Sequence, residues 1–92
     1  MTKRELIFNV ANLCRITTAQ AERVLNTTLD VIRYELIAER EVNLIGFGKF
    51  SVRDRAAREG RNPRTGEPIQ LPASKLPVFT AGRAFKAAVN PS

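Results

Sequence analysis

The stretch Arg53–Gly66 reads RDRAAREGRNPRTG and carries the strongest structural signal in the chain. It contains five arginines against two acidic residues, and it ends in an Asn-Pro-Arg-Thr-Gly segment. Proline, asparagine and glycine in such a segment are typical of a tight turn. The stretch therefore predicts a cationic β-hairpin with an apolar proline near its tip. A hairpin of this kind is suited to lying along a polyanion, and DNA is the first candidate.

The net charge of the chain lies entirely in its second half. Residues 1–46 carry six basic and six acidic side chains, whereas residues 47–92 carry nine basic and three acidic ones, which accounts for the whole net charge of +6. A generally basic protein would not show this division. The asymmetry predicts a neutral scaffold half and a basic half that meets an anionic partner.

Two amphipathic helices precede the hairpin. Thr2 and Glu5 have the spacing of a capping box, and apolar residues then recur at helical spacing as far as Cys14, which is expected to pack inward. A second box begins at Thr17 and opens a longer helix that runs to about residue 38. Its apolar face is wide for a chain of 92 residues, so we expect it to be covered partly by a second subunit.

The apolar period changes to that of β-strands after Glu41. A short strand and a Gly-Phe-Gly turn at 46–48 lead into an alternating segment, in which Phe50 and Val52 share one face. The opposite face of that segment carries Lys49, Ser51, Arg53 and Arg55. The returning segment 68–79 holds three prolines, which places it at a sheet edge or in a two-stranded arm.

A short helix over 81–89 completes the predicted order ααβββα. The fold class is therefore α+β, with two N-terminal helices, a three-stranded antiparallel sheet that extends into a β-arm, and a short C-terminal helix. No apolar run approaches membrane-spanning length, and the N-terminal MTKRELIF lacks the pattern of a secretory signal. We expect a soluble, cytoplasmic protein.

Catalytic and metal chemistry have little support in the sequence. With one cysteine and no histidine, the chain cannot build a Cys₂His₂ or Cys₄ zinc site by itself. It shows no serine-centred nucleophile elbow, no phosphate-binding glycine loop and no paired carboxylates in a plausible pocket. We expect no enzymatic activity, no catalytic residues, no metal and no cofactor.

Three segments together resemble one known family. Gly46–Phe50 (GFGKF), Gly60–Gly66 (GRNPRTG) and Leu76–Phe79 (LPVF) resemble the bacterial DNA-bending proteins of the HU and integration host factor family, and HU in particular. The resemblance covers essentially the whole chain. It implies a single domain over 1–92, with a helical dimerisation base at 1–40, a sheet and β-arm at 41–80 and a C-terminal helix at 81–90.

The resemblance also implies the partners and the site. Subunits intertwine as a homodimer or heterodimer, and two arms reach round the DNA minor groove, where the proline at the tip enters a base step and kinks the duplex. By the matched motif, Pro63 takes that role, and Phe47, Phe50 and Phe79 form the aromatic core of the dimer. The residues implied in DNA binding are Lys3, Arg53, Arg55, Arg58, Arg61, Asn62, Pro63, Arg64, Lys75, Arg83 and Lys86.

The chain departs from the family pattern at two places. Ala38–Glu41 lacks the glycine that commonly follows the second helix, so a left-handed helix cap would have to form without its usual residue. Glu67 and Pro68 follow the tip, where many relatives are more basic, and this puts a carboxylate near the expected DNA.

Several readings remain open from the sequence. The leading function is a sequence-tolerant architectural protein that bends DNA, prefers bent, nicked or gapped duplexes, and compacts the chromosome in the nucleoid. Alternatives are a site-preferring subunit like integration host factor, a binder of structured RNA, and a dimeric module for an acidic protein. Pro63 alone is equally consistent with a simple turn former, and Lys3 with a solvated charge on the first helical turn.

Overall fold

The computed structural model describes residues 1–91 and has the predicted α+β architecture. The order is α1 (Lys3–Cys14), α2 (Thr18–Ile37), β1 (Val42–Leu44), β2 (Gly48–Arg55), β3 (Arg58–Arg61), β4 (Pro68–Leu71), β5 (Ser74–Ala81) and α3 (Arg83–Val89). Contacts divide the chain into two compact units, whose boundary falls inside α2 between Tyr34 and Glu35.

Both predicted capping boxes are present in the first unit. The Glu5 backbone N–H donates to Thr2 Oγ1 at 3.2 Å, at the start of α1. At the start of α2, the Gln20 N–H donates to Thr17 Oγ1 at 3.1 Å, and the Thr17 N–H donates to Gln20 Oε1 at 2.9 Å. These bonds satisfy backbone donors that a helix start otherwise leaves unpaired, which explains where the two helices begin.

The core of the first unit is narrow. Ile7, Ala11 and Ala21 are buried, and Val10 and Leu25 pack against them. The expectation that Cys14 packs inward is wrong for this chain, because its free thiol is exposed. Helical spacing identified the apolar side of α1 correctly, but one chain covers only part of that side.

The cap that ends α2 is left-handed even though no glycine is present. Glu39 has φ 61°, its N–H donates to the Leu36 carbonyl at 2.9 Å, and the Arg40 N–H donates to the Glu35 carbonyl at 2.9 Å. This is the hydrogen-bond pattern of a Schellman cap, in which glycine usually occupies the left-handed position. A residue with a Cβ pays about 1–2 kcal/mol for that conformation.

The second unit contains two antiparallel sheets. One has the strand order β1-β2-β5, and the other is a two-stranded arm of β3 and β4. Pro77 lies on the edge strand β5 and Pro68 lies in the arm, as the proline rule predicted. The structure thus confirms the predicted three-stranded sheet with an extended arm, and it shows a break on each strand between the two.

Four phenylalanines pack at one end of the three-stranded sheet. Phe79 lies with its ring centroid 4.9 Å from Phe50 and 5.3 Å from Phe47, and Phe85 of α3 stacks on Phe47 at 5.0 Å. The sequence predicted three of these rings to cluster; Phe85 is the fourth. Gly48 makes this packing possible, because a Cβ there would lie 2.6 Å from Phe79 Cζ and 2.7 Å from the Thr80 carbonyl oxygen.

Candidate nucleic-acid interface

The outer part of β2 carries unpaired cations on one face. Arg53 and Arg55 are exposed and lie opposite Leu76 and Ser74 of β5. Within residues 1–91 no carboxylate lies within ion-pairing distance of either guanidinium. Lys49, on the same face, pairs with a Glu41 carboxylate oxygen at 3.7 Å. The end of β2 nearest the arm therefore offers two uncompensated positive charges to an anion.

The arm continues this charge on both of its faces. Arg58 lies opposite Leu71, and Arg61 lies opposite Pro68, three positions further along the strand. Because side chains alternate along a strand, these two arginines lie on opposite faces of the ribbon. Arg58 also lines an open cleft together with Arg55. The structure therefore brings Arg55 and Arg58 together across the break, whereas Arg61 belongs to the other side of the arm.

The tip of the arm is ordered by its own hydrogen bonds. The Asn62 N–H donates to the Glu67 carbonyl at 2.9 Å, and the Gly66 N–H donates to the Asn62 carbonyl at 2.7 Å. Asn62 Oδ1 accepts from the Arg64 N–H at 2.9 Å, which closes an Asx turn around Pro63. Gly66 has φ 74°, a conformation that favours glycine.

This turn presents Pro63 and Arg64 to solvent. Both are exposed, while Asn62 is half-buried with its carbonyl side-chain oxygen already used. Arg61 Nη1 donates to the Gly66 carbonyl at 3.2 Å, so part of its guanidinium supports the turn as well. The geometry thus separates the predicted tip residues into two that face outward and two that hold the turn.

Lys75 does not join the arginines of β2. It pairs across the ladder with Asp54, on the face that also carries Phe50 and Val52. Its Nζ donates to Asp54 Oδ1 at 3.0 Å and also to a Glu39 carboxylate oxygen. The hydrogen bonds from Glu39 and Asp54 raise the pKa of Lys75 above its ordinary value.

The remaining predicted contact residues lie on helices. Arg83 and Lys86 are exposed on α3, at the first and fourth positions of that helix. Residues three apart share a helix face, so these two cations point in similar directions. Lys3 is exposed at the start of α1, in the other unit.

Sequence reasoning missed two sets of residues. Thr65, whose Oγ1 accepts from the Glu67 N–H at 3.3 Å, supports the tip together with Gly66. Glu39 and Asp54 hold Lys75, and alternation counted on from Val52 would have put Asp54 on the inner face. The partnership with Glu39 has no local signal, because the two residues are 36 positions apart.

Other kinds of site find no support in the part of the chain described. No group of three or more acidic, cysteine or histidine side chains is placed to hold a metal ion among residues 1–91. Over the same residues, each helix is too short or too polar to cross a lipid bilayer.

Comparison with known proteins gives a consistent result. The family profile described as "Bacterial DNA-binding protein" matches residues 1–90. DNA-binding protein HU-1 of Halalkalibacterium halodurans is 51% identical over 90 residues, which are 98% of this chain and 100% of that protein. DNA-binding protein HU of Haemophilus influenzae is 48% identical over 90 residues, again 98% of this chain and 100% of that protein.

Solved structures show the same relationship. An Anabaena HU chain from a cocrystal with DNA superposes with a TM-score of 0.95 at 42% identity, and the match covers 100% of both chains. HU from Thermotoga maritima gives a TM-score of 0.69 at 26% identity, over 97% of this chain and 98% of that one. These are DNA-binding proteins and not enzymes, in agreement with the sequence-based expectation. The chain belongs to the bacterial DNA-binding protein family, and within it the chain is of the HU type.

Proposed function

We propose that this protein binds double-stranded DNA through the minor groove with little sequence preference, bends it, and compacts the chromosome as a nucleoid-associated cytoplasmic protein. The observation that carries the proposal is the arm. It is a narrow antiparallel ribbon with arginines on both faces, and it ends in a self-ordered turn that exposes an apolar proline. A ribbon of this width with cations on both sides suits a groove lined by phosphates on both walls.

The proposed contacts fall into two groups. Arg53, Arg55 and Arg58 would lie along phosphates near the root of the arm, while Arg61, Asn62, Pro63 and Arg64 form the tip. Lys3, Arg83 and Lys86 would meet the outer DNA. The minor groove distinguishes base pairs poorly, so preference should follow how easily a site deforms. The relatives reported above are HU proteins, which favours this sequence-tolerant role over that of a site-preferring integration host factor subunit.

A homodimer is part of the proposal. Only Ile7, Ala11 and Ala21 are buried hydrophobic residues in the chain described, which is a very small core for a folded protein. Large apolar side chains remain in water, among them Leu13 at 85% and Ile45 at 95% exposure. Dimerisation would cover such surface, and Phe47, Phe50 and Phe79 would then lie in a shared aromatic core.

Sedimentation tests the assembly directly. We expect a dimer at micromolar protein concentration, because the single chain buries too little apolar surface to offset its loss of conformational entropy. A folded monomer at that concentration, shown by an intact circular dichroism spectrum, would contradict this part of the proposal.

The wedge role of Pro63 is tested by Pro63→Ala. Pro63 is exposed, has no N–H to leave unsatisfied in a base step, and is held by a turn that does not need its ring for a hydrogen bond. HU is itself among the proteins for which a minor-groove wedge is described, at a cost of roughly a few kcal/mol for unstacking. We expect the variant to bend intact linear DNA less, measured by fluorescence energy transfer between the duplex ends.

A matched control distinguishes the wedge from a general effect of losing a proline. Pro72→Ala removes a proline between β4 and β5, away from the tip, and should leave the bend unchanged. Affinity of Pro63→Ala for nicked DNA should fall less than its bending of linear DNA, because a nicked duplex is already easily kinked. An unaltered bend of linear DNA by Pro63→Ala would show that Pro63 only forms the turn.

A further inference from the structure

We propose that Lys75 is a positioning residue that ties the root of the arm to the turn after α2, and that it does not hold a DNA phosphate. The inference deepens the proposed function, on which it rests for the meaning of the arm. Lys75, Glu39 and Asp54 together are called the root clamp below.

The root clamp lies where the three-stranded sheet gives way to the arm. Asp54 and Lys75 form the penultimate pair of the β2–β5 ladder, and Arg55 and Ser74 form the last. Beyond them, residues 56–57 and 72–73 belong to no strand, and pairing resumes only at Arg58 and Leu71. The two unpaired dipeptides are the place where the arm can swing, because no ladder hydrogen bonds cross between them.

The direction of the Lys75 side chain argues against a phosphate contact. The cross-strand pair Asp54–Lys75 projects from the face of Phe50 and Val52, whereas Arg53 and Arg55 project from the other face. A duplex that lies against the arginines therefore meets the opposite side of the ladder from Lys75.

The charge around Lys75 points the same way. Its ammonium is shared by two carboxylates, so the group of three side chains carries a net charge of −1. A phosphate would have to displace Asp54 or Glu39 and would meet the repulsion of the other. Each bond of the clamp is exposed, so the clamp holds the arm root only weakly and adjustably.

Glu39 gives this clamp its connection to α2. It occupies the left-handed cap position, where the family commonly has glycine, and glycine would offer no carboxylate. The backbone conformation directs the Glu39 side chain to Lys75, across 36 positions of sequence. The departure from the family pattern thus adds a second anchor to a lysine that would otherwise pair with Asp54 alone.

Hydrogen exchange in the protein without DNA tests the clamp. In Lys75→Met, the backbone amides at 54–55 and 74–75 should exchange about threefold faster than in the parent protein, the size expected for loss of an exposed ion-pair network. Lys75→Arg should restore slow exchange, because it keeps the charge between the two carboxylates. The double variant Glu39→Gln with Asp54→Asn should match Lys75→Met. Unchanged exchange in Lys75→Met would overturn the clamp.

The salt dependence of DNA binding supplies the second readout. The slope of log K against log salt should be the same for Lys75→Met and the parent, whereas a lost phosphate contact would flatten it by about 0.9. Arg53→Met is the matched control and should show the reverse pattern, with a flatter slope and unchanged exchange. A flatter slope for Lys75→Met would overturn the inference. An unchanged slope for Arg53→Met would count against the proposed DNA face and not against the clamp, which the exchange measurement judges without DNA.

Discussion

The three-stranded sheet and the arm are both built from antiparallel strands, but different forces hold them. The sheet end packs four aromatic rings at centroid distances of 4.9 to 6.3 Å and leaves no room for a Cβ at Gly48. The arm has a four-residue ladder and a turn closed by local hydrogen bonds. Side-chain packing therefore stabilises the sheet, whereas the arm owes its order to turn chemistry and remains free to carry charge and change partners.

Removing an aromatic ring should have the largest effect and should act on the sheet alone. Phe79→Ala deletes the ring that contacts Phe47, Phe50 and Phe85, and it should lower the free energy of unfolding by about 3 kcal/mol. Chemical denaturation at fixed protein concentration measures the loss. Ile69→Ala in the arm is the control and should cost far less. Equal costs would mean that the arm is packed as firmly as the sheet.

A pair of glycine substitutions sharpens the same contrast. Gly48→Ala forces its Cβ against the Phe79 ring and the Thr80 backbone, and we expect a loss of about 1–3 kcal/mol. In Gly60→Ala, the nearest atom is Leu71 Cδ1 at 3.1 Å, the far end of a flexible side chain. The arm variant should therefore unfold within about 0.5 kcal/mol of the parent. A larger loss for Gly60→Ala than for Gly48→Ala would reverse the comparison.

The smallest effect is expected at the turn that the root clamp uses. Glu39→Gly removes the cost of a left-handed residue with a Cβ, which exceeds the entropic cost of glycine, so stability should rise by about 0.5–1 kcal/mol. Ala38→Gly is the control, because Ala38 is not in the left-handed region and its replacement should destabilise. The thermal midpoints of both variants should be measured at equal protein concentration, since dimerisation shifts them. A drop for Glu39→Gly would show that Glu39 contributes more through its side chain than its backbone costs.

Much of the architecture could be predicted from the sequence because the signals are local. Capping boxes at Thr2 and Thr17 mark helix starts through bonds that span three residues. Alternation along β2 separates Phe50 from Arg53, and the Asn-Pro-Arg-Thr-Gly segment contains the residues that close its own turn. The prolines identify the edge strand and the arm because they cannot donate to a ladder.

The tertiary structure decided the features that depend on distant approaches. The sequence determined that Lys75 is a cation beside the arm, but only the strand register places it opposite Asp54 and brings Glu39 to it. It determined that Phe47, Phe50 and Phe79 are apolar, but the docking of α3 adds Phe85 to their cluster. The left-handed cap at Glu39 forms without glycine because the tertiary fold selects the turn there. Local pattern sets which element forms and which face is apolar, whereas the partner of a side chain is set by whichever distant residue the folded chain brings within reach.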